Sequence, residues 1–157
     1  MTKKSDIKLL LLDVDGTLTD GGIYLSASGD EFKKFNSKDG AGIKMAMKSG
    51  INVGIISASL NKEIVLKRVE MLGIPYCYVG QDPKELVLQK WLKELNLSQQ
   101  QVAFIGDDLN DKEIMKLCGF TACPSDAVDE IKEIVDAVLE KRGGEGCVRE
   151  CIDKFLI

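Results

Sequence analysis

Three short apolar runs along the chain have the pattern of strands that are buried on both faces of a sheet. Residues 7–12 are apolar except for one lysine, residues 51–56 read I-N-V-G-I-I, and residues 102–105 read V-A-F-I. Each run is followed at once by acidic or small residues. Continuous apolar runs of this length, bounded by turn residues, are typical of buried parallel strands.

Helical periodicity separates these runs. In residues 61–72 the apolar side chains fall on one face, with Asn61 as the predicted cap and a glycine as the stop. Residues 82–95 begin with Asp82 and Pro83, which predicts a capping aspartate with proline in the first helical position. Alternating strands and helices predict an α/β fold: a Rossmann-like, doubly wound parallel sheet with helices on both faces. Ligands of such sheets bind at the carboxyl ends of the strands.

One segment interrupts the alternation. Residues 21–35 read G-G-I-Y-L-S-A-S-G-D-E-F-K-K-F, in which S-G-D separates two short apolar stretches. This pattern predicts a protruding β-hairpin. Its apolar residues are too many for a ribbon surrounded by water, so we expect it to pack against something else, for instance a neighbouring subunit.

Length and composition place the chain among ordinary globular proteins. Its 157 residues suit a single domain, 1–157, and the net charge is −4 with basic residues scattered along the chain. Scattered basic residues argue against a nucleic-acid partner, and no apolar run reaches the ~20 residues of a membrane span. Five cysteines, an odd number, and a beginning without the pattern of an export signal predict reduced, structural thiols in the cytoplasm.

The absence of histidine excludes several classes of hydrolase. With no histidine in the chain, Ser-His-Asp and Cys-His enzymes, histidine phosphatases and His-ligated zinc enzymes are ruled out. None of the five cysteines is followed six residues later by arginine, which cysteine phosphatases require. If the chain is an enzyme, carboxylates, lysines and a metal must carry its chemistry.

Candidate residues stand at the ends of the predicted elements. They are Asp13 and Asp15, Ser57, Lys84, and the group Asp107, Asp108 and Asp111. Each has an ordinary explanation alone, as a turn, cap or surface residue. Together, D-V-D-G-T-L-T at 13–19, the serine after the second run, the lysine, and G-D-D-L-N-D at 106–111 resemble the four motifs of the haloacid dehalogenase superfamily.

This resemblance implies a phosphohydrolase that requires Mg²⁺. Asp13 would attack phosphorus and become an aspartyl-phosphate, and Asp15 would protonate the leaving group and then activate water. Mg²⁺ would be held by Asp13, Asp107 and the backbone carbonyl of Asp15, while Lys84 adds a second positive charge. The remaining roles implied are phosphate binding by Ser57, Ala58 and Gly16, and support of the metal ligands and the lysine by Asp108 and Asp111.

The spacing of the motifs leaves no room for a cap domain. Several sequence motifs of the chain resemble those of the small capless sugar-acid phosphatases, which act on 3-deoxy-manno-octulosonate 8-phosphate or nonulosonate 9-phosphates. These motifs are T-D-G-G-I-Y at 19–24, F-K-K-F-N-S-K-D-G-A-G-I at 32–43 and K-R-G-G-E-G-C-V-R-E at 141–150. The resemblance implies such a substrate, a place in cell-surface sugar (lipopolysaccharide) biosynthesis, and a homotetramer. Neighbouring subunits would then cover each site, reached by Lys33, Lys34 or the loop 143–146.

Two positions depart from that group. Ser59 stands where octulosonate phosphatases tend to carry Arg and a nonulosonate enzyme Glu, and Glu145 stands where octulosonate enzymes tend to carry Arg. The class of substrate is therefore better supported than the individual sugar acid. Residues proposed to bind the substrate are Ser59, Arg68, Arg142 and Arg149. The candidates for binding its carboxylate are Arg68, Lys141, Arg142 and Arg149.

Two other functions remain open. A phosphotransferase, such as a sugar phosphomutase, would use the same aspartyl-phosphate but resembles capped members that keep water out. A non-catalytic assembly module would resemble family domains with eroded motifs, whereas Asp13, Asp15, Lys84 and Asp107 are all present here.

Overall fold

The computed structural model describes residues 6–157, so the prediction about an export signal, which concerns residues 1–5, lies outside the described part. The strands are β1 (Leu9–Leu12), β2 (Tyr24–Leu25), β3 (Glu31–Phe32), β4 (Asn52–Ser57), β5 (Tyr76–Val79), β6 (Val102–Ile105), β7 (Phe120–Cys123) and β8 (Ala137–Val138). The helices are α1 (Ser37–Lys48), α2 (Lys62–Leu72), α3 (Lys84–Leu95), α4 (Lys112–Met115), α5 (Asp129–Ile134) and α6 (Cys147–Cys151). None of them is long and apolar enough to cross a membrane.

Six strands form one parallel sheet in the order β5-β4-β1-β6-β7-β8. From β1 the chain runs outward to β4 and β5 and then returns to β6 on the other side of β1. The strand order therefore reverses beside β1, and the crevice at such a switch point is where ligands bind. The doubly wound α/β prediction is confirmed.

Alternation along β1 explains the two helix layers. Leu10 and Leu12 belong to a core cluster with side chains of α1, α2 and α6, whereas Leu9 and Leu11 belong to a second cluster with side chains of α3, α4 and α5. All four leucines are fully buried. Successive side chains of a strand point to opposite faces, so a continuous apolar run is what a sheet covered on both sides requires.

The predicted start of α3 is wrong by one residue, whereas Asn61 occupies the cap position of α2 as predicted. Helix α3 begins at Lys84, one residue later than expected, and Pro83 occupies the capping position without a side-chain hydrogen bond. Asn61 precedes α2 as predicted, but its side chain makes no capping hydrogen bond. The shifted start of α3 affects the site, because it makes Lys84 the first residue of the helix.

The predicted hairpin is confirmed as a separate antiparallel pair, β2 with β3. A further bridge between Thr19 and Phe35 closes its base. Apolar side chains on both faces of the ribbon are uncovered in the monomer: Ile23 is 76% exposed, Leu25 66% and Phe32 60%.

The cysteines are all free, and none is a metal ligand candidate in the described chain. Three are buried and two, Cys77 and Cys118, are half-buried. Burial raises the pKa of the Cys118 and Cys151 thiols to about 12, which keeps them protonated and unreactive near neutral pH.

Asp39 is a buried carboxyl group that joins α1 to α6. One oxygen, Oδ1, accepts the backbone N–H of Arg149 at 2.9 Å, while Oδ2 has no hydrogen-bond partner among residues 6–157. Burial raises the pKa of Asp39 to about 6, against the opposing effect of backbone N–H groups from α6 and the nearby Arg68 charge. A raised folded-state pKa means that the carboxyl favours the folded state at low pH and loses this contribution as pH rises through about 6.

We therefore expect Asp39→Asn to change the pH dependence of stability. An asparagine keeps an oxygen for the Arg149 N–H but carries no charge at any pH. The unfolding free energy of the variant minus that of the wild type should be about 2 kcal/mol larger at pH 7.5 than at pH 4.5. Urea denaturation at the two pH values measures this difference, and a variant whose difference from wild type is the same at both would contradict the assignment.

Candidate active site

Lys84 lies at the centre of a group of acidic side chains at the carboxyl edge of the sheet. Its Nζ donates hydrogen bonds to Asp13 Oδ1 at 2.8 Å and to Asp111 Oδ1 at 2.6 Å. The lysine side chain is only 6% exposed, that of Asp13 7% and that of Asp111 0%. Asp13 directly follows β1, and Lys84 opens α3. The structure thus brings together residues that are 71 positions apart in the chain.

Asp107 and Asp111 belong to the loop after β6. The second oxygen of Asp111, Oδ2, accepts the backbone N–H groups of Asp107 at 3.0 Å and Asp108 at 3.4 Å. Thr17 Oγ1 donates a hydrogen bond to Asp107 Oδ1 at 3.3 Å, and this contact was not anticipated from the sequence. Asp108 accepts the N–H of Leu109 and caps the short helical turn that follows. Asp111 thereby fixes both its own loop and Lys84.

The negative charges of the carboxylates in this group outnumber the positive charge beside them. Burial, the hydrogen bond with Asp13 and the charges of Asp13, Asp111 and Asp108 raise the pKa of Asp107 far above its usual range. Burial and Asp13 also raise the pKa of Asp111, to about 6, although Lys84 opposes this. Burial acts to lower the pKa of Lys84, but the two aspartates outweigh it and raise that pKa. One lysine therefore does not neutralise the site.

These residues fit a divalent cation. One oxygen from each of Asp13, Asp107 and Asp111 lies within 4.8 Å of the others. Both oxygens of Asp111 are already engaged by Lys84 and the loop backbone, which leaves Asp13 and Asp107 to supply the ligands. Carboxylate oxygens suit Mg²⁺, which keeps several waters and binds through one or two carboxylates. A cation here would also relieve the repulsion that raises the pKa of Asp107.

Gly16 makes the close approach of the first motif to Asp107 possible. Its φ of +86° lies in the left-handed region, and a Cβ at this position would be 2.0 Å from Asp107 Oδ2. Any side chain would therefore both strain the turn and displace the carboxylate.

The loop 143–146 packs on the first motif of its own chain. Gly144 N donates to Thr17 O at 3.1 Å, and a Cβ on Gly143 would meet Gly16 O at 1.8 Å. Lys33 also contacts its own chain, at Asp15, while Lys34 is exposed. These are contacts within one chain, and the expectation that Lys33, Lys34 or this loop reaches a neighbour's site stays a prediction.

Asp15 lies at the outer side of the group, with its side chain 46% exposed. Lys33 Nζ donates to Oδ1 at 2.6 Å, and Ser59 Oγ donates to Oδ2 at 2.5 Å. Ser59, which we expected to bind substrate, thus contacts the predicted acid and base. From the sequence, we expected Lys33 near a neighbour's site and not at Asp15 of its own chain. Its alternation with Glu31, just beyond the end of β3, is the signal that could have indicated this contact.

The predicted phosphate-binding residues border an open cavity. Ser57, the last residue of β4, is buried, and its Oγ donates to Ser59 Oγ at 2.7 Å. Ser57, Ala58, Lys84 and Asn110 are among the residues that line a cavity of about 260 Å³. The space beside Ser57 is therefore accessible from solvent in the monomer.

The three arginines proposed for the substrate carboxylate are engaged elsewhere. Arg149 pairs with Asp153 at 2.8 Å, and Arg142 lies 3.6 Å from Asp126. Arg68 lies over the ring of Phe35, 5.3 Å from its centroid, and donates to Asn36 O. None of these contacts reaches the carboxylates around Lys84, so the monomer does not bring these arginines to the site.

We expect Gly16→Ala to weaken the binding of Mg²⁺ about tenfold or more, because the new methyl group must displace an oxygen of Asp107. Gly29→Ala is the matched control: Gly29 also has a positive φ, +88°, but nothing lies within 4 Å of its Cβ position. Both variants should lose about 1–2 kcal/mol from left-handed backbone strain. Calorimetric titration with Mg²⁺ separates them, and equal Mg²⁺ affinities would contradict the role of Gly16.

The comparisons with known proteins agree with this geometry. A family model described as haloacid dehalogenase-like hydrolase matches residues 77–150. The 3-deoxy-D-manno-octulosonate 8-phosphate phosphatase KdsC of Salmonella typhi is 41% identical over 157 residues, which is 100% of this chain and 83% of that protein.

Two solved structures are also similar. The 3-deoxy-D-manno-octulosonate 8-phosphate phosphatase from Yersinia pestis has a TM-score of 0.91 and 38% identity, over 96% of this chain and 80% of that one. The enzyme of the same name from Moraxella catarrhalis, in complex with magnesium ion, phosphate ion and KDO, has a TM-score of 0.91 and 35% identity, over 96% and 86%. The chain therefore belongs to the haloacid dehalogenase-like hydrolases, and it is a phosphatase.

Proposed function

We propose that the chain is a Mg²⁺-dependent phosphomonoesterase that acts through an aspartyl-phosphate on Asp13. The observation that carries the proposal is the buried arrangement of Lys84 between Asp13 and Asp111, with Asp107 beside them. A carboxylate held against a lysine and a cation site is suited to attack an anionic phosphate, because positive charge offsets the repulsion between the two.

The chemistry runs in two steps. An Asp13 oxygen forms a bond to phosphorus while the ester bond breaks, and the departing oxygen takes a proton from Asp15. Asp15 then takes a proton from water as the water oxygen bonds to phosphorus, and the bond between phosphorus and Asp13 breaks. Inorganic phosphate leaves and Asp13 is restored.

The other residues hold the groups in place during both steps. Asp13, Asp107 and the backbone carbonyl of Asp15 would hold Mg²⁺, which would supply positive charge to stabilise the phosphoryl oxygens. Lys84 supplies the second positive charge. Ser57 and the backbone N–H groups of Ala58 and Gly16 donate hydrogen bonds to the phosphoryl oxygens, and Asp108 and Asp111 support the loop of Asp107.

The substrate proposed is a phosphorylated 2-keto-3-deoxy sugar acid. The octulosonate 8-phosphate phosphatases of Salmonella typhi and Escherichia coli are 41% and 40% identical over the whole chain, which supports the eight-carbon acid ahead of a nonulosonate 9-phosphate. This substrate would place the reaction in the biosynthesis of a cell-surface sugar.

We expect Asp13→Asn to abolish phosphate release. Urea denaturation should still show an unfolding transition for the variant, as it does for a folded protein. Phosphate release is measured with eight- and nine-carbon sugar-acid phosphates, with and without Mg²⁺. Asp108→Asn is the control, because Asp108 lies on the same loop as Asp107 but caps the helical turn after it, whereas Lys84 pairs with Asp13 and Asp111. The loss of activity in this variant should be far smaller. Metal-independent hydrolysis would overturn the proposal, and transfer of phosphate to a second hydroxyl of a hexose phosphate would indicate a phosphomutase.

We also propose that the enzyme is a homotetramer in which the hairpin is covered by a neighbouring subunit. Phe32 lies on one face of the ribbon and Ile23 and Leu25 on the other, and all three are exposed apolar side chains that symmetry between identical subunits can bury. The open cavity beside Ser57 also needs a cover if a large sugar acid is to be selected.

The double variant Ile23→Asp, Leu25→Asp should dissociate the assembly, as sedimentation measures. It should lower turnover of the sugar-acid phosphate much more than turnover of 4-nitrophenyl phosphate, since the small ester needs no cover. Ile134→Asp, an exposed apolar position on α5, is the control and should leave assembly unchanged. A wild-type monomer that is fully active on the sugar-acid phosphate would refute this arrangement.

A further inference from the structure

The inner face of the hairpin carries a lysine that is nearly hidden from water. Side chains of a strand alternate between faces, so Glu31 and Lys33 point inward while Phe32 points outward. The Lys33 side chain is 6% exposed, and its Nζ lies 2.6 Å from Asp15 Oδ1 and 3.2 Å from Glu31 Oε1. Burial acts to lower the pKa of Lys33, but the two carboxylates outweigh it and raise that pKa, so the lysine stays charged.

The second oxygen of Asp15 is held from the opposite direction. Ser59 Oγ lies 2.5 Å from Asp15 Oδ2, and Ser57 Oγ lies 2.7 Å from Ser59 Oγ. The backbone N–H of Ser59 also donates to Ser57 Oγ at 3.0 Å. A continuous line of hydrogen bonds therefore connects the phosphate-binding serine at the end of β4 to the carboxyl group of Asp15.

An ordinary surface ion pair would contribute little, because exposed pairs are worth about 0–1 kcal/mol. The contacts of Asp15 differ in kind: each of its two oxygens has its own donor, and the lysine donor is hidden from water. A carboxyl group that is 46% exposed and otherwise free to rotate is thereby kept in one orientation. Proton transfer to a leaving oxygen requires such an orientation, since the acid must lie within hydrogen-bond reach of that oxygen.

We propose that Ser59 and Lys33 are positioning residues that together orient Asp15 for proton transfer to the leaving group. This inference rests on the proposed function and deepens it. It says that Ser59 at the edge of the sheet and Lys33 on the hairpin together orient the acid, Asp15. The hairpin base is fixed by the bridge between Thr19 and Phe35 and by Arg68 over the Phe35 ring. Displacement of the ribbon consequently removes one of the two donors to Asp15.

The experiment uses the dependence of kcat/KM on the leaving group. This ratio reports the steps up to departure of the leaving group, and acid assistance matters most when that group is a poor one. The esters are 4-nitrophenyl phosphate, whose leaving group needs little assistance, and ethyl phosphate, whose alkoxide needs a proton. Both are small, so neither depends on contacts to a sugar.

For Ser59→Ala and Lys33→Met we expect kcat/KM on ethyl phosphate to fall about tenfold or more, which is within the range of general acid catalysis. The kcat/KM on 4-nitrophenyl phosphate should fall less than about threefold. Ser59→Thr and Lys33→Arg keep a donor at each position and should restore most of the loss on ethyl phosphate. Lys38→Met removes the same charge from an exposed lysine on α1 and should change neither value.

The ratio of the two kcat/KM values within one variant does not depend on the fraction of folded enzyme, so a variant that folds poorly still gives an answer. Equal losses on both esters, or no loss on either, would overturn the positioning role. A wild-type enzyme that releases phosphate from no ester would instead refute the proposed function. The two failures are therefore distinguishable.

Discussion

The buried lysine between Asp13 and Asp111 is the interaction on which the site depends. Three aspartates meet at one edge of the sheet, and without a cation their charges would oppose folding there. Lys84 reaches two of them at 2.8 and 2.6 Å and stays charged although it is buried. Removing one partner of a buried pair costs about 3–5 kcal/mol, because the other charge is left without compensation. In the proposed mechanism the same lysine also stabilises a bound phosphate.

The parallel topology explains why so few residues suffice to build this centre. Strands β1, β4 and β6 are neighbours, so the residues that follow each of them arrive at the same edge. Close packing of backbone completes the arrangement, since Gly16 lies against Asp107 and Gly143 lies against Gly16. The carboxyl-terminal loop thus holds the first motif in position although it contributes no charged group to the metal site.

The two faces of the hairpin perform different tasks. Phe32 on the outer face is exposed and suited to cover by another subunit, whereas Lys33 on the inner face contacts Asp15. Because Lys33 directly follows Phe32, the last residue of β3, a contact that fixes Phe32 also restricts the position of the lysine. The proposed assembly and the proposed orientation of Asp15 are in this way connected through adjacent residues of the hairpin.

The sequence by itself determined the fold class and the four motif positions. Continuous apolar runs and helical patterns of period 3.6 are local, and they predict alternating elements and hence a parallel sheet with ligands at its carboxyl edge. The same patterns could not show that Thr17 donates to Asp107, that Lys33 and Ser59 hold Asp15, or that Arg68 and Arg149 are engaged away from the site. Those contacts join residues from distant parts of the chain at distances of a few ångströms. Only the packing of the elements decides them, because no local propensity specifies which side chains meet.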